Sequence, residues 1–162
     1  TKLLVYTNSQ RVWRVNSRGD YWVLELESGR LQQLGADFEP STLMFAKLSP
    51  DGTRAAYVQA NDLYVETLAD GTLTRLTSDG SPTSINGTSD WVYEEEFGLR
   101  DGFRWSPDGT QLVFSREEIH MAMNAWNRPF LDPVFSHASD QIHLFKIHCL
   151  PFQYGGRRYF CA

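Results

Sequence analysis

The chain carries an internal repeat, and the repeat constrains its fold more than any other feature. The run from Tyr21 to Leu34 lies over the run from Leu63 to Leu76 at an offset of 42 residues. Val23, Leu26, Gly29, Leu31 and Leu34 fall on Val65, Leu68, Gly71, Leu73 and Leu76, and Trp22 falls on Tyr64. Each copy reads as a strand, a Ser-Gly or Asp-Gly turn and a second strand. Gly29 and Gly71 supply the positive φ that such turns require. A second unit, Leu48-Ser49-Pro50-Asp51-Gly52, recurs as Trp105-Ser106-Pro107-Asp108-Gly109. Pro presets the first turn position, Asp closes an Asx-turn and Gly takes the left-handed position. A strand-like run follows each unit: Ala55-Ala56-Tyr57-Val58 and Gln111-Leu112-Val113-Phe114.

Periods in the forties, short strands and regular turns indicate β-propeller blades of about four strands each. A β-sandwich with the same turns is the competing architecture, and the fixed offset favours the propeller. The clearest blade runs from Phe45 to Leu76, with turns at Ser49–Gly52, Asn61-Asp62 and Asp70-Gly71. Propellers close with about four to eight blades, whereas 162 residues hold two to three. The expected fold is therefore all-β: a partial propeller over 1–116, with a short inserted helix and an irregular tail over 117–162. An open arc leaves sheet edges unpaired. Such a chain is a piece of something larger or self-associates through those edges.

Composition excludes some partners. A net charge of −5 and a pI near 5.3 argue against nucleic acid, whose phosphates need a basic surface. No apolar run is long enough to span a bilayer, and Thr1–Tyr6 is too short and too polar afterwards for a signal peptide.

The most informative local stretch is Asp90-Trp91-Val92-Tyr93-Glu94-Glu95-Glu96. Adjacent like charges make one another harder to ionise. The run is thus a solvated face or a site that waits for a cation. Asp90 or Ser89 is a suitable N-cap for a helix there. Trp91 and Tyr93 read as packing that anchors this helix, with ligand contact the lesser role. Asp51 and Asp108 read as turn formers, since no calcium-loop spacing is present.

Four segments carry a resemblance: Tyr57–Val65, Arg75-Leu76-Thr77, Ile85-Asn86-Gly87-Thr88-Ser89-Asp90-Trp91-Val92-Tyr93-Glu94-Glu95-Glu96, and Arg104–Thr110. Together they resemble the propeller domain of the dipeptidyl peptidase IV family, serine peptidases of the prolyl oligopeptidase clan. The resemblance is specific from Leu48 to Ser115 and extends back to Thr1. It implies that the propeller covers the active site of a separate α/β-hydrolase domain, and that the activity is release of N-terminal dipeptides. It implies that Glu95 and Glu96, on the short helix, bind the free N-terminal ammonium of a peptide. Glu94 is then structural, paired with a nearby Arg, and with Trp91 and Tyr93 it supports the pair. An α-amino group has an ordinary pKa of about 7.7–8.0, so near neutral pH it is largely a cation. Two charge-assisted hydrogen bonds to it would fix which peptide bond lies over the nucleophile. The family's arginine for the substrate carbonyl sits elsewhere in the propeller, and neither Arg100 nor Arg104 is assigned to it. The resemblance also implies an extracytoplasmic location, periplasmic or secreted.

The hydrolase half would need a Gly-x-Ser-x-Gly elbow, and this sequence has none. Phe152-Gln153-Tyr154-Gly155-Gly156 places Gln153 where a nucleophile would stand. The chain alone is expected to be inactive and to need no cofactor. The tail holds His120, His137, His143, His148, Cys149 and Cys161. Their spacing matches no common zinc pattern, so no metal site is assigned. A blade opens at Arg104 and its expected continuation fails after Arg116, so the tail reads as divergent or frame-shifted sequence. The alternative reading is a non-catalytic propeller-like interaction module whose glutamates decorate a surface.

Overall fold

The computed structural model describes residues 1–121 and 141–151, with side chains described as far as residue 117. His120, His137, His143, His148, Cys149, Cys161 and the Gln153 segment lie outside the described side chains.

Antiparallel strands build the molecule. The first group is β1 (Lys2–Arg11), β2 (Asn16–Glu25) and β3 (Leu31–Gln33). The second is a four-strand meander, β4 (Leu43–Leu48), β5 (Arg54–Gln59), β6 (Asp62–Thr67) and β7 (Leu73–Arg75). The third contains β8 (Ser84–Asn86), β9 (Phe103–Trp105), β10 (Gln111–Met121) and β11 (Gln141–Pro151), with α1 (Trp91–Phe97) between β8 and β9. The strands form a seven-stranded and a four-stranded sheet, and neither closes on itself. This is a partial β-propeller, with the helix inserted where the sequence places it.

The repeat is a repeat of register. Trp22 pairs with Gln33 and Leu24 with Leu31. Tyr64 pairs with Arg75 and Glu66 with Leu73, each 42 positions on. The turns match too: Gly29 N–H donates to Glu25 O and Gly71 N–H to Thr67 O, both at 2.9 Å. Their φ values, 71° and 73°, are left-handed. In the Ser-Pro-Asp-Gly turns, Gly52 N–H donates to Ser49 O and Gly109 N–H to Ser106 O, both at 2.8 Å. The Asp51 and Asp108 carboxylates accept from the Ser49 and Ser106 hydroxyls at 2.6 and 2.5 Å. Hydrogen bonds from Ser106 and Thr110 hold Asp108 down to about 2. These aspartates are turn formers, as expected.

Why the blades stack is visible in β5. Ala55, Ala56, Tyr57 and Val58 are all fully buried, so both faces of this strand are core. Successive side chains point to opposite faces. Ala55 and Tyr57 join Tyr21, Val23, Leu34 and Tyr64 against the first group. Ala56 and Val58 join Leu63, Val65, Phe103, Leu112 and Phe114 against the third. The continuous apolar run is thus the middle layer of three.

The boundary drawn at residue 116 falls inside β10, which continues to Met121 and pairs over its whole length with β11. Between 141 and 151 the segment read as irregular is a regular strand. The turn punctuation that marks the other strands is missing there, so no local pattern announces it.

Candidate functional site

The excursion that carries α1 leaves the third group after Gly87 and returns at Gly102. Its neck is closed by Gly87 N–H to Ser115 O at 2.8 Å, Gly102 N–H to Gly87 O at 3.0 Å and Ser115 N–H to Gly102 O at 2.7 Å. A Cβ on Gly102 would lie 2.1 Å from Ser115 Oγ, so any larger residue there forces Ser115 to move. One step outward, Thr88 bridges to Asp101 and Ser89 N–H donates to Arg100 O at 3.2 Å. Lys47 of β4 anchors this neck from the second group. It pairs with Asp101, donates to Phe103 O at 2.6 Å and lies 3.9 Å over the Phe103 ring. Burial lowers the Lys47 amine to about 8 despite its carboxylate partner.

Asp90 caps the helix: its Oδ1 accepts from Tyr93 N–H at 2.9 Å. Gly98, at φ 65°, ends it. No residue of α1 is buried. Seven residues are too few to form a stable helix alone, so the ends fix its position. Below the N-cap, Glu117 Oε2 accepts from Asp90 N–H at 2.9 Å. Glu117 is only 1% exposed, and burial pushes its carboxyl up to about 7 even though the Asp90 N–H hydrogen bond favours the charged form.

The three glutamates separate by partner. Glu94 Oε1 accepts from Arg100 Nε at 3.0 Å, the arginine pairing expected of it. Glu95 Oε1 lies 2.5 Å from Arg14 Nη2. Glu96 is exposed and has no ion-pair partner among the described residues. Arg104 pairs with Asp101 at 2.9 Å, so Arg100 and Arg104 both serve internal contacts. Trp91 packs on Trp13 with ring centroids 5.8 Å apart, and Tyr93 packs on Phe97 at 5.7 Å. Both aromatics thus make packing contacts.

Arg14 and Trp13 were not singled out from the sequence. They lie in the four-residue connection between β1 and β2, whose tip reaches across to α1. The available signal was compositional: Val12-Trp13-Arg14-Val15 contains none of the Gly, Asn, Asp or Pro residues that usually make such turns. Between hairpin tip and helix lies a cleft of about 270 Å³, lined in part by Trp13, Met44, Trp91, Glu94 and Arg100. Glu95 and Glu96 stand outside that lining.

A family model described as the dipeptidyl peptidase IV N-terminal region matches residues 1–120. The chain belongs to the dipeptidyl peptidase IV family. Dipeptidyl peptidase 4 of Trichophyton tonsurans is 40% identical over 111 residues, which cover 68% of this chain and 14% of that protein. Dipeptidyl peptidase 4 of Arthroderma otae is 38% identical over 117 residues, 72% of this chain and 15% of that protein. The chain thus spans about one seventh of these relatives. The crystal structure of Porphyromonas gingivalis dipeptidyl peptidase 4 superposes with a TM-score of 0.68 at 22% identity, over 91% of this chain and 22% of that one. That likeness establishes the fold. The family match covers all of α1 and ends within β10, four residues beyond the boundary drawn at 116. Among the described residues, no helix is long and apolar enough to cross a membrane.

Proposed function

We propose that this family member is the substrate-gating propeller portion of a dipeptidyl peptidase IV-like serine exopeptidase, acting outside the cytoplasm. Glu95 and Glu96 hold the N-terminal ammonium of a peptide, and Arg14 stands beside them. The observation that carries the reading is the Arg14–Glu95 contact at 2.5 Å. It brings a guanidinium from the β1–β2 tip to the carboxylate named by the motif. Glu95 therefore sits where a cation is held, and the exposed Glu96 is its immediate neighbour. An ammonium bound between them would share Glu95 with Arg14, leaving guanidinium N–H donors for a peptide carbonyl. That is the role the sequence left without a residue. Cleavage itself belongs to an α/β-hydrolase domain, whose Gly-x-Ser-x-Gly elbow this sequence lacks.

The test is a titration of the ¹⁵N-labelled chain with Ala-Pro-Ala, followed through the amide shifts of α1. Wild type is expected to respond at Glu95 and Glu96. A hydrogen bond to a charged group contributes about 1.5–3 kcal/mol. Glu95→Gln or Glu96→Gln should therefore weaken the response roughly tenfold or more. Equal affinity in wild type and both variants would leave the glutamates as surface decoration and favour the interaction module.

A further inference from the structure

We propose that Glu117 is a positioning residue for the glutamate pair: its buried carboxylate fixes the N-terminus of α1 and so sets where Glu95 and Glu96 stand. The inference rests on the reading of those two residues as an ammonium clamp.

α1 buries none of its own residues, and its outer side is held by the Trp13–Trp91 and Arg14–Glu95 contacts with the β1–β2 tip. The Glu94–Arg100 pair, whose arginine is substantially exposed, ties its first turn to the segment that follows the helix. Its N-terminal side is held from inside. Asp90 is 5% exposed and Glu117 1% exposed, and the two meet through the Asp90 N–H at 2.9 Å. Asp90 in turn caps Tyr93 N–H at 2.9 Å. A chain of two hydrogen bonds therefore runs from β10 to the first turn of the helix. β10 is a rigid base: at Glu117 it pairs with Ile85 of β8 on one side and Phe145 of β11 on the other. A buried carboxylate is an unfavourable group to keep unless it makes a specific contact. Here the contact is to the backbone of the clamp's N-cap. A site that orients a substrate tolerates little slack, since displacements near 1 Å change rates and affinities strongly.

Three variants of the full chain test this. Glu117→Met keeps the length and apolar volume of the side chain without an acceptor. Glu117→Gln keeps an acceptor oxygen for Asp90 N–H. Two readouts are taken: amide hydrogen exchange at Asp90 and Tyr93, and titration with Ala-Pro-Ala followed at α1. Glu117→Met is expected to raise exchange at both amides at least tenfold and to weaken peptide binding at least fivefold. Glu117→Gln is expected to stay within twofold of wild type in both. If Glu117→Met does not fold, Glu117→Asp, which withdraws the acceptor by one methylene, should raise exchange at the same amides. Unchanged exchange in a folded Glu117→Met or Glu117→Asp variant overturns the proposal, as does a Glu117→Gln variant that loses as much as Glu117→Met. A wild-type chain that ignores Ala-Pro-Ala while the exchange pattern holds would sink the clamp and leave the anchoring of α1 standing.

Discussion

Glu117 is a carboxyl group held well above its ordinary range, and its stability consequence has a definite sign. Burial pushes it from its ordinary value of 4.5 up to about 7, against the lowering effect of the hydrogen bond from Asp90 N–H. Between those values the folded chain keeps a proton that the unfolded chain has lost. Stability therefore falls as pH rises through that window and is level above it, a full swing on the order of 3 kcal/mol. The Glu117→Gln variant has no proton to lose. Its melting temperature relative to wild type should climb from pH 4.5 to pH 7 and then plateau. A difference that stays flat with pH would refute this account of the burial. The sequence held little hint of this residue, since Glu117-Glu118 looks like any charged strand end. Arg14 was equally hidden. Its contact with Glu95 spans 81 positions of the chain, and no local pattern encodes a contact at that range. By contrast Asp90 was legible as a cap because capping is a local event. Glu94 was legible as a paired residue once Glu95 and Glu96 had been set apart by the motif.

At the scale of elements, hairpin registers follow from turn chemistry, and turn chemistry is readable. Gly71 sits at φ 73° with nothing within 4 Å of where a Cβ would lie. The Gly71→Ala variant should therefore meet only the backbone penalty, about 1–2 kcal/mol. The Gly102→Ala variant should lose more, because its Cβ would collide with Ser115 Oγ at the neck of the α1 excursion. Urea unfolding of both checks the order, and equal losses would contradict the close approach described for the neck. The same logic shows why β11 escaped notice. Its strand is defined by backbone pairing to β10 from Gln111↔Pro151 to Met121↔Gln141. No Ser-Pro-Asp-Gly unit or Asp-Gly turn stands near it to mark the hairpin.

For the whole molecule, the first two strand groups share the β2–β4 ladder, and β5 and β6 carry the apolar layers that pack against both neighbouring groups. Phe103, 1% exposed, carries the third group's side of one of these layers together with Leu112 and Phe114. The Phe103→Ala variant should lose about 3–5 kcal/mol. Because Phe103 follows the α1 neck directly, its amide-shift changes should spread to α1 as well as to Val58 and Leu63. Changes confined to β9 would contradict the layered core. The stacking was legible in outline, since a four-residue apolar run flanked by turns marks a strand buried on both faces. What the sequence could not provide is which hairpin tip meets the inserted helix, because that depends on how the groups are rotated against one another. The proposed role of the molecule follows from that meeting point: a cation-binding pair of glutamates next to Arg14 of the hairpin tip, on a helix pinned at its neck and its cap. The measurement that tests it most directly is the titration of the ¹⁵N-labelled chain with Ala-Pro-Ala and with its N-acetylated form at pH 7. The free peptide should shift the Glu95 and Glu96 amides, and should lose that effect above about pH 9 as its ammonium deprotonates, while the acetylated peptide leaves them in place. Equal shifts from both peptides, or none from either, would contradict the claim that these glutamates bind a peptide N-terminus.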